Sequence, residues 1–189
     1  MVDEKHWRKT IVSWLFLLLL FFFSSIHSYA QDYAYVRKIT GLNPVFYFNT
    51  LNRYFNGITL DSWTKLRLEL NESTAGHSKW ELSVMASAAT IESDGLAPDL
   101  DLASVQIIAA IDGVPVNTVI DNNNSPLVLS NNAGPNGYGD ILLSGTGVSN
   151  IIIDITLTYD CGTEIGYEMI GKQEDFYYVE LIFRLYSIP

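Results

Sequence analysis

Apolar and polar residues alternate with a period of two along most of the chain beyond residue 64. That period marks half-buried antiparallel strands, because successive Cβ atoms point to opposite faces of a sheet. Leu66, Leu68 and Leu70 alternate with Lys65, Arg67 and Glu69. Asn71 to Gly76 reads as a turn, and Trp80, Leu82, Val84, Ala86 and Ala88 form the next apolar row, opposite Glu81, Ser83 and Ser87. The two runs together predict a hairpin. Val105, Ile107, Ala109 and Ile111 resume the alternation, which Asp112-Gly113 should end with strong turn chemistry. The most regular run turns Ile151, Ile153, Ile155, Leu157 and Tyr159 inward, with Asp154, Thr156, Thr158 and Asp160 outward.

The last run spans Phe176 to Ile188. One face carries Tyr177, Val179, Leu181, Phe183 and Leu185; the other carries Phe176, Tyr178, Glu180, Ile182, Arg184 and Tyr186. Such a run reaches about 43 Å at ~3.3 Å per residue, well beyond a common strand. It must bend across two sheets or leave a stretch free for another chain. Elsewhere the elements are short. Val45 to Phe48 predicts a strand and Leu51 to Phe55 a helical turn, while Leu127 to Leu129 and Ile141 to Leu143 are brief apolar strands. Ile91 to Leu102, broken by Gly95 and Pro98, reads as a loop, as do Asp121 to Ser125 and Asn131 to Gly139. Many short strands, irregular Gly/Asn/Pro connections and no amphipathic helix predict an all-β fold. The expected architecture is an antiparallel β-sandwich of the Ig-like or Greek-key kind, with seven to nine strands.

The first thirty residues depart from this pattern. Lys5, Arg8 and Lys9 precede the apolar run Ile11 to Phe23, and Ser28-Tyr29-Ala30 fits a leader-peptidase site before Gln31. A cationic end, an apolar stretch short of the roughly 20 residues that span a bilayer, and a small-residue exit predict a cleaved signal peptide over 1–30. Residues 31–189 are then one exported domain, secreted or held in the periplasm or at a bacterial cell surface, with no membrane insertion after leader cleavage. That portion has 8 basic and 19 acidic side chains, a net charge of −11. Such a balance argues against nucleic acid, whose phosphates need Lys and Arg, and against anionic lipid. Cys161 is the one cysteine, so no internal disulfide can form, and no cysteine near residue 30 offers a lipid anchor. Directly after a β-like run, Cys161 reads as a small buried hydrophobe.

Enzyme signatures are sparse. His77 is the one histidine after the leader and falls in a turn, and no serine sits in a Gly-x-Ser-x-Gly elbow. The glycines between Gly134 and Gly139 lack the Lys-Ser/Thr of a phosphate loop and precede a strand. Catalysis is therefore not expected. No cofactor is expected either, Ca²⁺ being the single candidate. Glu92, Asp94, Asp99 and Asp101 lie within ten residues and supply hard oxygen ligands, although their spacing matches no EF-hand and turns use the same residues. Glycan binding is an alternative, with Tyr33, Tyr35, Tyr138, Tyr177 and Tyr178 available for stacking.

The closing segment, Gly171 to Tyr186, carries a glycine, a Tyr/Asp step and a long alternating strand with a near-terminal aromatic. In this it resembles the last strand of secreted pilin-like and spore-coat-U-like β-sandwich subunits. Trp80-Glu81-Leu82 resembles a single Trp-x-Leu motif of cell-surface domains. The resemblance covers about twenty-five residues; the pilin disulfide has no counterpart, and Ser187-Ile188-Pro189 prolongs the end. It implies a structural or adhesive subunit that binds other proteins, or further copies of itself, by strand addition. The edge would be presented by Tyr177, Val179, Leu181, Phe183 and Leu185. The alternative is an extracellular module that binds carbohydrate or Ca²⁺.

Overall fold

Strands fill most of residues 33–188, as the period-two pattern requires. The computed structural model describes residues 32–41, 43–134, 137–163 and 169–189; the leader expected over 1–30 lies outside them. In chain order the elements are β1 (Tyr33–Thr40), β2 (Val45–Phe48), α1 (Leu51–Asn56), β3 (Ile58–Asn71), β4 (Lys79–Ala86), β5 (Thr90–Ser93), β6 (Leu100–Asp101), β7 (Val105–Val116), β8 (Val119–Asn123), β9 (Leu127–Val128), β10 (Asp140–Thr146), β11 (Ile151–Cys161), β12 (Asp175–Tyr178) and β13 (Leu181–Ile188). Eight of these strands have five residues or more, and the others are brief. They form three antiparallel sheets with the orders β1-β3-β11-β7-β9, β13-β4-β10-β8 and β2-β12-β5-β6. The molecule is an all-β sandwich. No described helix is long and apolar enough to cross a membrane.

The core follows the alternation residue by residue. Leu66, Leu68 and Leu70 of β3 and Ile153, Ile155 and Leu157 of β11 are buried, as are Trp80, Leu82 and Val84 of β4. Phe46, Phe48, Ile91 and Tyr177 of the smallest sheet join the same hydrophobic cluster. On the outer side of the β3–β11 pair, Arg67 Nε and Nη2 each donate to Asp154 at 2.7 Å, and Lys65 Nζ lies 3.3 Å from Asp112 of β7. These charges sit where the pattern turns polar residues outward. Cys161 is fully buried, and burial pushes its thiol pKa up to about 12.

Several local expectations change in the structure. β3 and β4 do not form a hairpin: they belong to opposite sheets, and β3 pairs with β1 and β11 while β4 pairs with β10 and β13. The segment Asn71–Lys79 therefore arches across the sandwich. The same holds for β7 to β8 and β10 to β11. Asp112-Gly113 does not end β7. Gly113 adopts φ 77°, and the register moves from Asp154↔Asp112 to Ile152↔Val116, so extra residues bulge out before pairing resumes. Two expected loops contain strands. β5 and β6 bury Ile91 and Leu100 around the Gly95–Pro98 turn. β8 covers Asp121–Asn123, where Asn123 Nδ2 donates to the Ala109 carbonyl at 3.0 Å and Asn124 Nδ2 to the Ile141 carbonyl at 2.7 Å. Those amides satisfy backbone acceptors in both large sheets, which explains why so polar a segment is ordered.

The terminal run is broken. It bends at Val179–Glu180, with β12 at the centre of the small sheet and β13 at the edge of another.

Candidate partner-binding edge

A strand edge is an unpaired row of backbone donors and acceptors, and its reach depends on its length. Among the described residues the six sheet edges are β1 and β9, β13 and β8, β2 and β6. β1 and β13, each of eight residues, are the longest; the others have two to five. β13 pairs with β4 along its whole length, from Leu181↔Ala86 to Ile188↔Lys79. Backbone bonds from Ser87 N to Glu180 O and from Ser78 N to Ile188 O close the two ends. Among the described residues no strand pairs with its other side.

β1 and β13 lie on the same open side of the sandwich, with Cα atoms approaching within 8 Å but without pairing. Between them runs a groove in two stretches, of about 380 and 300 Å³, which share Val36 and Phe183. Leu181, Phe183 and Leu185 line its β13 side. Leu185 is buried, whereas Leu181 and Phe183 are only partly so. Arg184 and Tyr186 alternate with them; Arg184 Cζ sits 5.1 Å over the Tyr138 ring, and Tyr186 donates to Glu81 at 2.6 Å. A strand pairing with both edges would hold them about 9–10 Å apart, twice the inter-strand spacing. An entering strand therefore pairs with one edge, or β1 moves. β1 buries little side-chain surface, since only Tyr33 and Val36 of its eight residues are not exposed, and its ladder to β3 holds it in place.

Of the five residues expected at the edge, the structure brings together Leu181, Phe183 and Leu185. Tyr177 is not at an edge. It is buried in β12, between β2 and β5, with its hydroxyl donating to the Gln173 carbonyl at 2.9 Å. Val179 is buried at the bend between the two strands. Alternation assigned both to the correct inward face but could not show that the run changes sheets. Residues 33–40 lack clean alternation, so the sequence does not mark β1 or Val36.

The acidic segment is used locally. Asp99 accepts from Thr90 Oγ1 at 3.0 Å and Ser93 N at 3.1 Å, and Asp101 caps a 3-10 turn by accepting from Ala103 N at 3.0 Å. Asp94 donates its backbone N–H to the Phe176 carbonyl. Asp175 accepts from Ser93 Oγ at 2.7 Å, the chief reason its carboxyl is held below the usual range. No group of three or more His, Cys, Asp or Glu side chains converges as a metal site among the described residues.

His77 is more constrained than a solvated turn residue. Its Nδ1 lies 2.7 Å from Ser187 Oγ, which donates to Glu72 Oε2 at 2.9 Å. A catalytic triad needs the acid behind the far ring nitrogen of histidine. Here Glu72 approaches the same Nδ1, at 3.9 Å. Hydrogen bonds from Thr74 and then Ser187 hold the Glu72 carboxyl down to about 2, so it is a poor base. The trio ties the β3–β4 arch to the end of β13.

Comparison of the chain with protein-family models finds no match, and none is found among curated proteins.

Proposed function

We propose that the protein is an exported structural or adhesive subunit that binds protein partners, or further copies of itself, by adding a strand at the β13 edge. The observation that carries this reading is the combination of two long edges, unpaired among the described residues, with a groove between them in which Val36, Leu181, Phe183 and Leu185 are interspersed with polar side chains such as Lys38, Thr64 and Arg184. Strand addition needs both: main-chain hydrogen bonds supply affinity, and pockets for alternate side chains supply specificity. Leu181, Phe183 and Val36 provide those pockets.

Deleting Phe176–Pro189 would remove Tyr177 and Val179 from the core and unfold the domain, so a point change is the better test. Phe183→Lys places a charge in the groove of an edge strand, a device that blocks edge pairing. The mature chain should form oligomers, or take up an alternating Val/Thr peptide, in sedimentation velocity. The variant should do neither while keeping a cooperative melt within a few degrees of the parent. A parent chain that stays monomeric at all concentrations and ignores the peptide would overturn the reading.

A further inference from the structure

The outward face of the smallest sheet has a composition of its own. Val45 stands opposite Tyr178, and Tyr47 opposite Phe176, so four apolar or aromatic side chains share one patch. Phe176 is 44% exposed and Tyr178 38%. The Tyr47 and Phe176 rings stack on each other, 4.0 Å between centroids and 7° between planes. Each ring thereby spends one face on its neighbour, which leaves a ridge rather than a flat platform.

Carboxylates rim the ridge, with one cation, the Arg53 guanidinium, at its Tyr47 end, where Nη1 donates to the Tyr47 carbonyl at 2.8 Å. Tyr178 donates to Glu92 Oε2 at 2.7 Å and Tyr47 to Glu174 Oε1 at 2.8 Å. Glu92, Asp94 and Asp99 all raise the Tyr178 pKa, the Glu92 hydrogen bond most of all, as a negative local field requires. Beside Tyr178 opens a cleft of about 80 Å³, lined by Thr90, Glu92, Tyr178 and Glu180 among others. At roughly 30 Å³ per water it has the capacity of two or three waters, enough for a guanidinium or ammonium head. The two acidic residues lining it, Glu92 and Glu180, favour a cationic head.

We infer that this face binds an extended basic peptide segment, with an arginine or lysine head in the Glu92–Glu180 cleft and its aliphatic stem along the Tyr47–Phe176–Tyr178 ridge. Charge complementarity selects this occupant over a neutral glycan: an acidic rim contributes Coulomb attraction for a cation, and ring faces add cation–π attraction. Glu92 stands on β5 and Asp94 just past its end, both exposed, so the negative charge continues beyond the strand. Arg184 over Tyr138 shows the same cation–ring chemistry within this chain. The surface is separate from the β13 groove, so the inference does not rest on strand addition.

The test uses the mature chain and an eight-residue peptide with arginine at alternate positions and threonine between, followed by calorimetry and backbone NMR. Shift changes should be confined to residues 45–48, 90–94 and 175–180. Glu92→Gln and Glu180→Gln should each weaken binding tenfold or more. Asp121→Asn, which removes one charge from exposed β8, should leave it within twofold. Equal weakening by Asp121→Asn would reduce the effect to bulk charge and overturn the site. So would absent binding at low salt, or a chito- or cello-oligosaccharide binding the ridge more tightly than the peptide.

Discussion

Trp80 offers the sharpest test of how the sandwich is held together. Its side chain is fully buried, and its indole Nε1–H donates to Thr118 Oγ1 at 2.8 Å, while Thr118 Oγ1 in turn donates to the Thr146 carbonyl. The ring also packs on Gly145, where a Cβ would come 2.7 Å from the indole. Trp80→Ala removes both packing and hydrogen bond and should cost about 3–5 kcal/mol. For a domain of this size each kcal/mol lowers Tm by about 2–4 °C, so the melt should fall by about 6–20 °C. A double-mutant cycle of Trp80→Phe with Thr118→Val isolates the hydrogen bond. The Thr118–Thr146 bond is lost in both backgrounds and cancels, leaving an expected coupling of about 0.5–1.5 kcal/mol. Urea unfolding should be followed by circular dichroism, since the mutation removes a fluorophore. A Trp80→Ala loss below about 1 kcal/mol would refute the core assignment. Coupling indistinguishable from zero would refute the hydrogen bond's contribution.

Gly145→Ala should destabilise by about 1–3 kcal/mol or more, because the new methyl meets the Val119 carbonyl at 2.4 Å as well as the indole; chemical denaturation measures it. Glu72, whose carboxyl is lowered from 4.5 to about 2, contributes stability that is fully present above pH 4.5 and lost as pH falls toward 2. Glu72→Gln should therefore flatten the stability profile in that window, and an unchanged acid limb would refute the clamp. Arg67→Ala breaks a solvent-screened pair, so the loss in chemical denaturation at neutral pH should be small and should shrink further as salt is added. Cys161 should resist a thiol reagent such as dithiobisnitrobenzoate in the native state and react fully on denaturation; prompt native labelling would contradict its burial.

The long alternating strands β3, β4, β7 and β11 and their facing are legible in the chain because the side-chain period of a strand is a local property, whereas β1, β5, β6 and β8 lack that alternation and are not. Ile151 to Tyr159 needs nothing beyond alternation to place its buried row; the strand expected at Val45–Phe48 is observed, and the helical turn expected at Leu51–Phe55 is observed as Leu51–Asn56. The candidate edge was half legible. Leu181, Phe183 and Leu185 share a face by parity, but parity continues unchanged through Val179–Glu180 and hides the bend that sends Tyr177 into the core. The Tyr47–Phe176–Tyr178 ridge was invisible because β2 and β12 are more than a hundred residues apart in sequence.

What the sequence determined alone was the class of structure: an acidic, all-β domain with one unpaired cysteine and its apolar rows already sorted from its polar ones. Only the tertiary structure decided which rows meet. Pairing β3 with β11 rather than β4, arching Asn71–Lys79 across the sandwich and leaving β1 and β13 as neighbouring free edges are choices among partners of equal local fitness. They are settled by how all the apolar faces close over one core, and no local period encodes that.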